Sequence, residues 1–100
     1  MFKIEYSPMA LEDLQQIRDY ISAQWGEDAA TRVLRKITAD IRKLEEFHKS
    51  GVDLGKVIDV PIKYRYILSE KNYMFYFLEP ESVRIIRVLN EQQDFIKHLF

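Results

Sequence analysis

The chain has 100 residues, no cysteine and a formal net charge of −1, with 47% apolar and 13% aromatic residues. This length allows one domain, 1–100, with one modest core, and the near-zero charge is not the footprint of a general nucleic-acid binder. A disulfide framework and a thiolate site are excluded, and no apolar run approaches the roughly 20 residues of a membrane span. Met1-Phe2-Lys3-Ile4-Glu5 has no signal-peptide pattern, so the expected location is the cytoplasm.

Phe2, Ile4 and Tyr6 alternate with Lys3 and Glu5, which predicts a short strand with one buried face. Ser7-Pro8 ends it and opens a helix, because serine caps well and proline suits the first helical position. Ala10, Leu14, Ile17 and Ile21 fall at helical spacing with Trp25 one turn on, while Glu12, Asp13, Gln16 and Asp19 lie off that stripe. Gly26 stands where a C-terminal cap belongs. Asp28 is suited to cap a second helix, whose stripe is Ala30, Val33, Leu34, Ile37, Ile41, Leu44 and Phe47. So short a connection predicts an antiparallel helical hairpin.

Lys49 to Lys56, with Gly51 and Gly55, reads as loop. Val57 to Ile62 is ambiguous, because Pro61 cannot donate to a ladder. Three β-prone runs follow: Lys63 to Leu68, Tyr73 to Leu78 and Val83 to Leu89, joined by the turns Ser69-Glu70-Lys71-Asn72 and Glu79-Pro80-Glu81-Ser82. They predict an antiparallel meander. Asn90 to Phe100 closes the chain as a short helix, with Asn90 and Gln93 at capping-box spacing. The order is β-α-α-β-β-β-α, an α+β fold. The helical hairpin should cover one face of a four-stranded sheet and leave the other concave and partly open.

The chemistry of interest sits in the strands. An arginine within a strand is costly to bury without a partner, so Arg65 and Arg87 either pair with a carboxylate or serve an anionic ligand, which guanidinium grips bidentately. Strict alternation puts Arg84 on the face opposite Arg87, and Arg65 on the face opposite Tyr64 and Tyr66. His48, near the end of the second helix, suits the helix dipole, and His98 reads as a surface residue. Glu45 and Glu46 read as solvated carboxylates, although one of them could reach the sheet as a base. Lys56 and Lys63 are candidate phosphate contacts, and Tyr64 a candidate stacking platform. There is no glycine-rich phosphate loop and no His/Cys pair at ligand spacing, so neither metal nor cofactor is expected.

The element order, with Tyr6-Ser7-Pro8, Ala10, Asp13-Leu14 and Ile17 entering the first helix, Tyr64-Arg65 and Phe75-Tyr76 in the meander, and Arg87-Val88-Leu89 followed by Asp94-Phe95, resembles the RelE/ParE toxin superfamily over nearly the whole chain. The resemblance implies the toxin of a type II toxin–antitoxin pair, a plasmid-stabilisation protein, with a cognate antitoxin as partner. RelE-like members cut messenger RNA on the ribosome without a metal, while ParE-like members poison DNA gyrase and have no known hydrolytic centre. The expectation is a ribosome-dependent endoribonuclease that inhibits translation, with Arg65 and Arg87 catalytic and Lys63, Lys56, Tyr64 and Asn90 on the RNA. The alternatives are a gyrase inhibitor, or a degenerate toxin acting as co-repressor with its antitoxin. The chain departs from the ribonuclease pattern at Asn90, where many relatives have histidine, at Gln92-Gln93, where they often have arginines, and at Phe95, where they often have tyrosine.

Overall fold

The computed structural model describes residues 1–100. Strand β1 (Lys3–Tyr6) leads into helices α1 (Pro8–Trp25) and α2 (Glu27–Arg42), and α2 tightens into a 3-10 turn at Lys43–Glu45. Strand β2 (Val52–Asp53), helix α3 (Leu54–Ile58), strands β3 (Arg65–Ser69), β4 (Asn72–Leu78) and β5 (Ser82–Asn90), and helix α4 (Phe95–Leu99) complete the chain. This is the α+β order expected, with β2 formed inside the stretch read as loop and α3 running from that stretch into the ambiguous one that follows. The sheet therefore has five strands rather than four, in the order β1-β5-β4-β3-β2. β1 runs parallel to β5 and the other pairings are antiparallel. No helix is long and apolar enough to cross a membrane.

Local signals set the hairpin. Ser7 Oγ accepts the Ala10 N–H at 3.0 Å, and Pro8 takes the first helical position. Gly26, at φ +95°, a value few other residues tolerate, closes α1 by donating its N–H to Ser22 O and starts α2 directly. Asp28 is therefore not the cap. It lies with Glu27 inside the first turn of α2, where carboxylates complement the helix dipole. The hairpin packs on one sheet face, with Ile37, Ile41 and Ala10 against Met74, Tyr76, Val83, Ile85 and Val88.

The opposite face is not open as expected. Leu54 and Ile58 of α3 and Phe95 and Leu99 of α4 cover Phe75 and Leu89 in a second apolar cluster. Helices of five residues are not stable alone, so burial of these side chains is what holds them. The capping assignment in the last segment also changes. Asn90 and Gln93 do bond reciprocally, Asn90 N–H to Gln93 Oε1 at 2.8 Å and Gln93 N–H to Asn90 O at 3.0 Å, but within a turn. The helix starts later, capped by Asp94 Oδ1 on the Lys97 N–H.

The β4–β5 ladder carries a bulge. Tyr76 faces Ile85 and Phe75 faces Arg87, so Ile86 is the extra residue. Arg84 faces Phe77 and Arg87 faces Phe75. Cross-strand partners share a face, and Phe75 and Phe77 are two apart. Arg84 and Arg87 therefore lie on the same face, because the bulge reverses the parity that strict alternation assumes.

Candidate functional site

The two strand arginines are not brought together. Arg65 faces Tyr76 across the β3–β4 ladder and Arg87 faces Phe75, so they project from opposite sides of the sheet. Arg65 Nη1 donates to Gly51 O at 2.9 Å and Lys49 O at 3.3 Å. Beside it the Tyr76 hydroxyl donates to His48 O and accepts the Gly51 N–H, both at 2.9 Å. Burial pushes the Tyr76 phenol up from its ordinary range, against the opposing effects of the Gly51 bond and the Arg65 charge. Arg65 and Tyr76 together clamp the loop that follows α2.

Arg87 has a carboxylate of its own. Nε donates to Asp13 Oδ2 at 2.8 Å and Nη2 to Asp13 Oδ1 at 2.9 Å, with the two side chains 14% and 9% exposed. Nη1 reaches His98 O at 3.3 Å. The Asp13 hydrogen bond raises the Arg87 guanidinium above its usual value and outweighs the effect of burial. In the sequence Asp13 simply lies off the apolar stripe of α1, and nothing there marks it as the partner of Arg87. It also accepts the Val88 N–H at 2.9 Å.

That last bond explains the location. β1 ends at Tyr6 opposite Ile85, while β5 runs on to Asn90 with no strand on that side, its other side staying paired with β4. Side chains stand in for the missing strand. Ser7 Oγ donates to Ile86 O, Asp13 accepts from Val88, and Gln93 Oε1 accepts from Asn90. The edge of β5 is closed.

The remaining predicted residues are dispersed. Lys56 is exposed on α3, and Lys63 is exposed just before β3, where it lines a small cavity of about 220 Å³ with Arg65 and Asp53. Tyr64 is half-buried, its ring 6.2 Å from both Phe77 and Phe100, so it belongs to the second apolar cluster. His48 is stacked on Phe2 at 3.9 Å, and its Nδ1 is buried without a partner. Glu45 is half-buried and Glu46 exposed at the end of the 3-10 turn. Arg84 lies 3.7 Å from Glu5.

Only Arg87, Asn90 and His98 share a larger feature, a groove of about 820 Å³ between α1 and the far end of β5. α1 contributes Met9, Ile17, Tyr20 and Trp25, and the facing wall is made by the β3–β4 turn and residues 90–93. Four carboxylates line it (Glu12, Asp13, Glu70 and Glu91) against two permanent cations, Lys71 and Arg87. Its formal charge is thus −2 with histidine neutral.

Comparison with known proteins agrees with this fold. A solved structure titled "Chromosomal ParDE TA system from P. aeruginosa" is similar over 90% of this chain and 96% of its own, with 18% identity and a TM-score of 0.76. No curated protein matches the chain. The family described as "ParE toxin of type II toxin-antitoxin system, parDE" matches residues 4–95. That match spans β1 to the start of α4 and includes the strand arginines and the Asp13 that holds one of them: the chain belongs to the ParE toxin family of type II toxin–antitoxin systems.

Proposed function

We propose that this toxin acts by binding DNA gyrase, without cutting RNA, and that a cognate antitoxin neutralises it. The observation that carries the reading is the engagement of Arg65 and Arg87. Metal-free cleavage of a phosphodiester needs a cation aimed at the charged phosphorane and an acid and base on either side of it. Here the two guanidinium groups lie on opposite faces of the sheet, one holding loop carbonyls and the other bidentate on Asp13. The groove that contains Arg87 and Asn90 has more carboxylates than cations, which disfavours a phosphate backbone. His48 is stacked against Phe2, and Asn90, in the position where many relatives carry histidine, cannot transfer a proton at neutral pH.

Two assays run side by side test the proposal: supercoiling of plasmid DNA by purified gyrase, and protein synthesis in a reconstituted translation system. The expected result is inhibited supercoiling with gyrase-trapped DNA, while translation continues on intact messenger RNA. Messenger RNA cut on the ribosome, with cleavage lost in Arg65→Ala and supercoiling untouched, would overturn the proposal in favour of the endoribonuclease.

A further inference from the structure

We propose that the exposed face of α2 is a contact surface for the phosphate backbone of duplex DNA. The inference is independent of the toxin's target and rests on how charge is distributed along this one helix.

The near-zero net charge conceals a segregation. Residues 31–43 carry five of the 15 lysines and arginines but one of the 16 acidic residues, so the rest of the chain has ten cations against 15 carboxylates. Ile37 and Ile41 bury one side of α2 against the sheet. Arg32, Arg35, Lys36, Arg42 and Lys43 lie on the opposite side, all exposed. Ala39 stands exposed among them, and its small side chain permits a close approach. From Arg32 to Lys43 is about 16 Å of helix at 1.5 Å per residue, the length of about five phosphates along one DNA strand.

These cations are poorly neutralised. Asp40 takes Lys36 at 3.0 Å and Lys43 at 3.3 Å, but its side chain is only 16% exposed and also accepts the Ser69 hydroxyl. Arg32, Arg35 and Arg42 are in no salt bridge, and Asp28, one turn before Arg32, does not pair with it. The helix dipole accounts for Arg42 and Lys43 at the C-terminal end of α2. It does not account for Arg32, Arg35 and Lys36, which stand further back in the helix. Arg32 is three and four residues from the other two, the spacing at which like charges repel. A merely solvated face alternates its signs at that spacing. A polyanion relieves the repulsion.

The composition of the face selects among polyanions. It holds no aromatic residue on which unpaired bases could stack, which disfavours single-stranded nucleic acid. The apolar side of α2 is buried in the core, so nothing is left to insert into a membrane. Three of the five cations are arginine, whose guanidinium grips phosphate bidentately. The major groove of B-form DNA admits a helix, whereas that of duplex RNA is too narrow.

The test uses the purified full chain and a fluorescein-labelled DNA duplex of arbitrary sequence and about 20 base pairs. No gyrase is present, so the result is separate from the gyrase proposal. Fluorescence anisotropy should give a dissociation constant of about 10⁻⁴–10⁻⁶ M at physiological salt. Binding should weaken with salt at a logarithmic slope of about −3 to −4, each neutralised phosphate contributing about 0.9. Arg32→Gln/Arg35→Gln, at exposed positions where glutamine keeps the helix, should bind at least about tenfold more weakly and reduce the slope by about 2. Lys97→Gln, on α4 at the other face of the sheet, should change affinity less than about twofold. Circular dichroism should be the same for all three proteins. No binding at about 100 µM protein, or an unchanged salt slope in the double variant, would overturn the proposal. So would displacement of the DNA by polyglutamate of equal charge, which would assign the face to an acidic protein segment, or tighter binding of single-stranded or duplex RNA of the same length.

Discussion

Asp13→Ala is the most informative single change. It removes the bidentate bond to Arg87 and the bond to the Val88 N–H together. Breaking a buried ion pair from one side typically costs about 3–5 kcal/mol. Arg87 keeps its contact with His98 O and is 14% exposed, so water can reach it and the lower end applies, about 3 kcal/mol. The unpaired Val88 N–H adds about 1 kcal/mol. A total near 4 kcal/mol is a large fraction of the roughly 5–15 kcal/mol that stabilises a domain. Arg87 cannot escape by losing its proton, because a guanidinium stays charged at any working pH. Urea unfolding followed by far-ultraviolet circular dichroism gives the cost, provided that the slope with denaturant is unchanged. A cycle with Asp13→Leu, Arg87→Met and the double variant then isolates the pair. The double should cost less than the two singles added, by about 2 kcal/mol, because two apolar side chains leave no buried charge behind. An Asp13→Ala cost below about 1 kcal/mol, or an additive cycle, would refute the reasoning.

Two further changes test local features. Glu70 and Lys71 form the two-residue β3–β4 turn with φ of +51° and +64°, values that suit Asn-Gly; Glu70→Asn/Lys71→Gly should raise stability by about 1–2 kcal/mol in the same urea titration. Burial by itself would raise the Asp40 carboxyl, but hydrogen bonds from Ser69, Lys36 and Lys43 hold it below its usual 3.8. Because the folded value is the lower one, Asp40 contributes stability that is complete above pH 3.8 and is lost as pH falls through the folded value. Asp40→Asn should accordingly flatten the fall in stability below that pH, measured as the urea midpoint against pH.

The parts of the fold that were legible in the sequence are those written in local patterns. Ser7-Pro8 and Gly26 punctuate the helices, and the apolar stripe of α2 with three β-prone runs dictates the hairpin and the meander. What escaped was non-local. Val52–Asp53 is a strand only because β3 lies beside it, and α3 is a helix because Leu54 and Ile58 are buried against Phe75 and Leu89, whereas α4 is legible in the sequence and only its start differs. The bulge at Ile86 has no glycine or proline to announce it, and yet it reverses the face of every later residue in β5. Asn90 and Gln93 form their reciprocal bonds as the spacing suggests, but capping-box spacing does not require that a helix follow.

Arg87 shows why the candidate site was less legible than the fold. In the sequence it stands in the run Val83 to Leu89, whose only other charge is Arg84, so the choice between a carboxylate partner and an anionic ligand stays open. Its anion is 74 residues earlier in the chain. The two meet because proline at position 8 makes the chain leave the sheet after Tyr6, while β5 continues to Asn90. The first turns of α1 then run along the vacated edge, and Asp13 is the side chain that arrives opposite the Val88 N–H. Once a carboxylate is there to satisfy a backbone donor, its second oxygen needs a partner as well, and the arginine one residue before that donor supplies one. The strand arginine therefore follows from an unfinished strand pairing and needs no substrate phosphate to explain it. The same arrangement closes that edge of β5 to added strands.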